Sequence, residues 1–170
     1  MAFFGSVIGL REPVVKMEPV FLSQSSNLQG RIGLHCKGTV NDSMLREKIA
    51  LRMGFGVLKT YKAKTGQIVK SIHSEDPKTS EKEVSAVIAA GRWRLIRPGD
   101  EVALTDFQRF LNERISPKLK EPERPWDKKM EQRYSDLLQR LTDSILMKGS
   151  DHESMPELSG IYVFYHDSMP

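Results

Sequence analysis

Two short apolar segments lie on either side of a tight turn near the middle of the chain. Residues 92–96 and 101–104 have the composition of strands, and Arg97-Pro98-Gly99-Asp100 between them is a strong turn sequence. Strands joined by so short a connection must pair antiparallel, because a parallel pair needs a crossover of about a dozen residues. Helical and strand patterns alternate elsewhere, so the sequence predicts an α+β fold with an antiparallel sheet and three to four helices.

Hydrophobic periodicity predicts the other elements. Apolar residues recur at helical spacing in residues 43–58, 80–90, 105–115 and 127–147. Residues 160–166 have the composition of a strand, and residues 31–37 alternate between apolar and polar in the manner of a half-buried strand. Residues 57–62 and 67–73 flank Lys64-Thr65-Gly66, which predicts a β-hairpin.

The length of 170 residues favours a single domain, which we place at residues 28–166. Residues 1–27 are predicted to be a flexible N-terminal arm, since Pro13, Pro19 and a Ser-Gln-rich stretch interrupt regular structure there. Residues 116–125 contain three prolines among basic residues and are predicted to be a stiff, basic connector within the domain.

The first ten residues are uncharged and mostly apolar. This segment is too short to span a bilayer and lacks the positive charge that begins a secretory signal. Exposed apolar residues are expected to be buried on the chain's own core, on a neighbouring copy or at a membrane interface. The candidate residues for a self-association arm are Phe3, Phe4, Val7 and Ile8.

Charge is distributed unevenly. The chain has 26 Lys and Arg against 22 Asp and Glu, a formal net charge of +4. Residues 149–170 contain four acids and no Lys or Arg, so residues 1–148 carry +8. Basic runs without acids attract phosphate-bearing polymers or anionic lipid headgroups, although a solvated protein face has the same composition. The candidate residues for an anionic membrane or nucleocapsid surface are Lys59, Lys62, Lys64, Lys70, Arg92, Arg94 and Arg97.

Catalytic and cofactor motifs are missing from the sequence. The single cysteine, Cys36, excludes an internal disulfide, and the four histidines lack metal-binding spacing. The sequence contains no phosphate-binding glycine loop, and Lys64-Thr65-Gly66 has no accompanying S-x-x-K. We therefore predict a protein that is not an enzyme and has no cofactor or metal.

Two aromatic residues lie among basic neighbours. On a strand, Trp93 would face away from Arg92 and Arg94, which predicts Trp93 in the core and the arginines outside. Tyr61, near Lys59 and Lys62, is a candidate for stacking on RNA bases.

The pattern that runs from residues 31–37 through Lys37-Gly38-Thr39 into residues 45–53 resembles the opening of the globular domain of rhabdovirus matrix proteins, with a length that fits those of plant-infecting cytorhabdoviruses. The resemblance implies a viral structural protein that self-associates, condenses the viral nucleocapsid and ties it to the anionic inner leaflet. It also implies a location in the virion beneath the envelope, and in the host cytoplasm and at the inner face of the membrane. In that family an N-terminal segment can dock into a neighbouring copy, a role that Phe3, Phe4, Val7 and Ile8 could have here.

A second hypothesis also fits the basic composition. A small RNA-binding or nucleocapsid-associated regulatory protein would bind RNA in a salt-sensitive manner and would remain a monomer without forming a lattice.

Overall fold

A computed structural model of the chain describes residues 17–119 and 125–167. The elements in chain order are β1 (Glu18–Ser25), α1 (Leu28–Lys37), α2 (Met44–Arg52), β2 (Gly56–Lys62), β3 (Gln67–His73), α3 (Pro77–Ala90), β4 (Arg92–Ile96), α4 (Leu104–Ile115), α5 (Glu131–Asp143), β5 (Met147–Lys148) and β6 (Gly160–His166). Four strands form one antiparallel sheet in the order β1-β6-β4-β5, and β2 pairs with β3 in a separate two-stranded sheet. The predicted α+β class with an antiparallel sheet is confirmed.

The strand β6 lies at the centre of the four-stranded sheet. Its alternate residues enter two different clusters: Tyr162 and Phe164 pack on one face, and Ile161 and Val163 pack on the other. Because apolar residues occupy both faces of the strand, the sheet must be covered on both sides. The helices α1, α2 and α3 supply residues to the first cluster, and α4 and α5 supply residues to the second. Trp93 on β4 is fully buried in the first cluster, which confirms its predicted inward orientation.

The predicted pairing of residues 92–96 with residues 101–104 is wrong. Residues 92–96 form β4, but their partners are β6 along the whole strand and β5 at Arg92 and Trp93. A turn does follow β4, closed by a hydrogen bond from the Val102 N–H to the Gly99 carbonyl, and it leads directly into α4. Pairing with β6 gives every residue of β4 a partner, and four of those partners, Ile161, Tyr162, Val163 and Phe164, are buried apolar residues.

Residues 31–37 belong to the helix α1 and do not form the predicted strand. The described residues therefore contain five α-helices, where three to four were predicted. The Asn27 side chain caps α1 by accepting a hydrogen bond from the Gly30 N–H. The helix buries Leu28, Ile32 and His35 at helical spacing and leaves Leu34 exposed. Ile32, Leu34 and Cys36 alternate as in a strand, while Leu28, Ile32 and Cys36 recur at the four-residue spacing of a helix, which is why local pattern did not distinguish the two states.

Part of the predicted arm is folded. Residues 18–25 form β1, which pairs with β6 from Glu18 to Ser25 and buries Val20 and Leu22. The predicted connector is also attached to the body at its start, because the N–H groups of Lys118 and Leu119 donate to the Pro19 and Val20 carbonyls. Residues 120–124 of the connector and residues 1–16 of the arm lie outside the described residues.

Several helix ends differ from the prediction. The helix α3 begins one turn early at Pro77, since the Asp76 side chain accepts hydrogen bonds from the Lys78 and Thr79 N–H groups. The helix α5 ends at Asp143 and not at residue 147, so Ile145 lies beyond it and is 83% exposed. The physical reason is a side chain from another element: Arg94 donates to the Leu141 and Ser144 carbonyls at the helix end.

A buried polar network joins α1, α2 and α3 beneath the sheet. Arg46 is fully buried and donates to the His35 carbonyl, the Glu81 carboxylate and Ser85. The His35 ring hydrogen-bonds Ser43 and Tyr162 and stacks on Trp93 with ring centroids 5.8 Å apart. Burial, and secondarily the charges of Arg31 and Arg46, lower the pKa of His35 to about 3, so this histidine is neutral.

Candidate anionic-surface interface

The four predicted lysine residues of the anionic surface all lie on the hairpin formed by β2 and β3. Lys59 and Lys62 are on β2, Lys70 is on β3, and Lys64 is in the connecting turn. The turn is the one predicted from Lys64-Thr65-Gly66: Gly66 has φ of +66° and donates its N–H to the Lys62 carbonyl. Glycine suits this turn because a side chain disfavours positive φ. The hairpin is not hydrogen-bonded into the main sheet.

Glu47 on α2 attaches the middle of the hairpin to the body. Its carboxylate lies 2.5 Å from the Lys70 Nζ and 3.8 Å from the Lys59 Nζ. Lys70 is therefore held against the body, with its side chain only 30% exposed, whereas Lys59 remains 60% exposed. The two lysines are directly opposed in the hairpin register, so the carboxylate also offsets their mutual repulsion.

The outer half of the hairpin exposes an apolar pair between lysines. Tyr61 and Ile68 are opposed in the register, and they are 67% and 61% exposed. Lys62 and Lys64 beyond them are also exposed. A two-stranded ribbon with water on both faces gains little stability from such residues, which makes this pair a candidate contact surface.

The three predicted arginines belong to a different part of the molecule. Arg92 donates to the Ala90 and Gly91 carbonyls at the end of α3. Arg94 holds the end of α5 and lies 5.9 Å from the centroid of the Tyr165 ring. Arg97 is exposed beside Asp100, with 3.9 Å between the charged groups. Arg92 and Arg94 use their guanidinium groups to bind backbone carbonyls at helix ends. The candidate anionic surface therefore consists of the hairpin lysines.

Four further predicted residues, Phe3, Phe4, Val7 and Ile8, lie outside the described residues. Sequence reasoning missed the contributions of Glu47 and Ile68 to the hairpin. The signal for Ile68 was its position opposite Tyr61 in a symmetric hairpin about Lys64-Thr65-Gly66. Glu47 gave no local signal, because its lysine partners are brought to it only by the tertiary fold.

A shallow cavity of about 240 Å³ lies between α1, α3 and residues 149–153, and Cys36 and His152 line it. The Cys36 thiol donates to the Gly149 carbonyl, and burial raises its pKa to about 11. A protonated thiol is a poor nucleophile at neutral pH. His35 and Cys36 are adjacent on a helix, where neighbouring side chains point in different directions, so the two do not form a catalytic pair.

Within residues 17–119 and 125–167, no helix combines the length and apolar character that a membrane span requires. In the same ranges, no group of three or more His, Cys, Asp and Glu side chains is arranged to hold a metal ion. Comparisons of the chain with protein-family models, with curated proteins and with solved structures find no match.

Proposed function

We propose that this chain is a viral matrix-like structural protein, which self-associates and bridges a viral nucleocapsid and the anionic inner leaflet of a membrane during virion assembly. The observation that carries the proposal is the β2–β3 hairpin, a basic ribbon with an exposed apolar pair that stands apart from the main sheet. The resemblance of residues 31–53 to rhabdovirus matrix proteins supplies the viral context, and it is a resemblance of sequence alone, since residues 31–37 form α1 and not the predicted strand.

The composition of the hairpin favours a lipid surface as its partner. Each lysine near an anionic leaflet contributes about 1 kcal/mol at moderate salt, and Lys59, Lys62 and Lys64 are all exposed. Tyr61 is suited to the headgroup region, where an apolar ring and a polar hydroxyl are both solvated. Ile68 beside it has no role in base stacking but gains free energy at an acyl boundary.

Vesicle flotation tests the membrane part of the proposal. We expect the protein to float with phosphatidylserine-containing vesicles and to detach from them as the salt concentration is raised. It should not float with neutral phosphatidylcholine vesicles. A variant with Lys59, Lys62 and Lys64 all changed to Glu should lose flotation. A matched variant with Lys78, Lys128 and Lys129 changed to Glu alters net charge equally on other exposed elements and should keep most of it.

Flotation that is insensitive to salt, or equal loss in the two triple variants, would contradict the assignment of binding to the hairpin.

Self-association is assigned to the N-terminal segment with Phe3, Phe4, Val7 and Ile8. Deleting residues 1–10 should therefore reduce oligomer formation in analytical ultracentrifugation, and an unchanged sedimentation profile would remove that role.

The second candidate function is RNA binding without lattice formation. Tyr61 favours it, because an exposed aromatic ring among lysines can stack on an unpaired base. The discriminating measurement is binding of single-stranded RNA by a monomeric protein. Tight, salt-sensitive RNA binding that Tyr61→Leu abolishes would favour this candidate, whereas Tyr61→Leu should largely preserve vesicle binding.

A further inference from the structure

One hydrogen bond at the outer edge of β3 shows which backbone groups of the hairpin pair with each other and which point outward. The Lys70 N–H donates to the Asn41 side-chain oxygen at 2.9 Å, so this amide points away from β2. Lys70 is opposed to Lys59 in the antiparallel register. The two residues therefore form a non-hydrogen-bonded pair, and the N–H and C=O of Lys59 point toward the outer edge of β2.

The same alternation applies along the strand. Leu58 and Thr60 face β3 and exchange ladder bonds with Ser71 and Val69, whereas Tyr61, opposed to Ile68, repeats the geometry of Lys59. The outer edge of β2 thus presents the backbone groups of both Lys59 and Tyr61. In the described part of the chain these outward groups have no hydrogen-bond partner. The edge of β3 is different, because Asn41 occupies it.

We infer that the outer edge of β2 docks an extended acidic segment of a protein partner, which adds to the hairpin as a third strand. Unpaired edge groups are a template for strand addition. Charge decides the occupant: Lys59, Lys62 and Lys64 are exposed along this edge and its turn. A second copy pairing through the same edge would bring two such lysine sets together, and like charges on adjacent strands destabilise pairing.

The register also specifies the side chains that the partner needs. Lys59 and Lys62 project from opposite faces of β2, since they are separated by an odd number of positions. Acidic residues on both faces of the incoming strand therefore find a lysine. Tyr61 borders the incoming strand and offers its exposed ring to a Val, Ile or aromatic residue there, whereas Ile68 lies on β3, on the other side of Tyr61. The inference goes beyond the proposed function, because it concerns a peptide strand and not a lipid surface.

Proline at residue 61 tests the backbone part of the inference. Tyr61→Pro removes an N–H that faces outward, so it deletes a docking donor without deleting a ladder bond of the hairpin. Tyr61→Ala removes the same side chain and keeps the N–H, and it is the matched control. The probe is a short fluorescein-labelled peptide that carries Glu on both faces of an extended strand, with Val and Thr at the other positions, and binding is measured by fluorescence anisotropy.

We expect Tyr61→Pro to bind the acidic peptide about tenfold more weakly than Tyr61→Ala, as the loss of one docked hydrogen bond requires. Equal affinities of the two variants would overturn the inference. So would equal binding of the acidic peptide and a control peptide with Lys in place of Glu. In the double variant Lys59→Glu and Lys62→Glu, the preference should reverse toward the Lys peptide.

Amide hydrogen exchange of the unaltered protein provides a second readout that does not depend on how the proline variant folds. The amides of Lys59 and Tyr61 should exchange rapidly alone and slowly with the acidic peptide, while the Leu58 and Thr60 amides are protected in both states. Unchanged exchange at Lys59 and Tyr61 with saturating peptide would overturn strand addition. Vesicle flotation tests the lipid-binding proposal alone, whereas peptide anisotropy and amide exchange test strand addition alone. Failure of one proposal is therefore distinguishable from failure of the other.

Discussion

The strand β6 and the β2–β3 hairpin are both antiparallel β-structure, but they relate to water in opposite ways. β6 has neighbours on both edges and helices over both faces, and six of its seven residues are buried. The hairpin is a two-stranded sheet of its own, in which Ile72 is the one residue of either strand that is fully buried. The difference places the stabilising core around β6, and it leaves the hairpin as the surface that we propose for intermolecular contact. The following predictions test that division.

The largest expected effect is in the packing around β6. Trp93→Ala removes a fully buried indole that contacts His35, Tyr162 and Phe164, and it should lower the free energy of unfolding by about 4 kcal/mol. The control is Ile68→Ala in the hairpin, which should change it by less than about 0.5 kcal/mol. Urea denaturation measures the free energy of unfolding of both variants. Similar losses in the two would contradict the division between a stabilising β6 and an exposed hairpin.

A pH dependence is expected from His35. Its pKa is about 3 in the folded protein and near 6.5 when unfolded, so below pH 6.5 the unfolded chain binds a proton that the folded chain does not. Its contribution is therefore complete above pH 6.5 and decreases as pH falls toward 3, by about 1.4 kcal/mol per unit. Stability should decline by about 3 kcal/mol between pH 6.5 and 4 from this group.

His35→Gln keeps hydrogen-bonding capacity without a titrating ring, so urea denaturation of this variant should show a shallower decline over the same pH range. Identical slopes for the two proteins would mean that the buried network does not make folding pH-dependent. Vesicle binding by the hairpin should not follow this titration.

The smallest expected effect concerns the attachment of the hairpin. Glu47→Gln removes the carboxylate shared by Lys59 and Lys70, and should cost about 1 kcal/mol because the pair is only partly exposed. Amide exchange at Leu58 and Thr60 should accelerate. Glu153→Gln, which removes an exposed ion pair with Lys37, should leave exchange in the hairpin unchanged. Unaltered exchange in Glu47→Gln would show that the hairpin is held by other contacts.

Elements with an unambiguous local pattern were predictable from the sequence. The hairpin followed from two alternating segments about a Lys-Thr-Gly turn, and β6 followed from Ile161-Tyr162-Val163-Phe164-Tyr165. The inward orientation of Trp93 followed from strand alternation. The helix α1 was not predictable in this way, because Gly30 and Gly33 lower helix propensity and its apolar spacing also fits a strand. Tertiary packing on residues 149–154 and on the sheet selects the helix.

The candidate anionic surface was likewise predictable from the sequence only in part. Local charge pattern identified both basic runs, yet it could not distinguish lysines that face solvent from arginines that satisfy helix carbonyls. Arg92 meets the end of α3 because it follows that helix directly in the chain, whereas Arg94 reaches the Leu141 and Ser144 carbonyls only through the tertiary fold. Glu47, 12 positions before Lys59, reaches the hairpin because α2 packs against β2.

The sequence by itself determined the α+β class, the strand character of residues 160–166, the hairpin with its run of lysines, and the burial of Trp93. Each depends on the period and composition of a few consecutive residues. Only the tertiary structure decided that β4 pairs with β6 and not with the residues after its turn, that residues 18–25 are a strand of the sheet, and which cations remain exposed. Strand partners are selected by competition among all segments for buried apolar area, and that competition involves the whole chain.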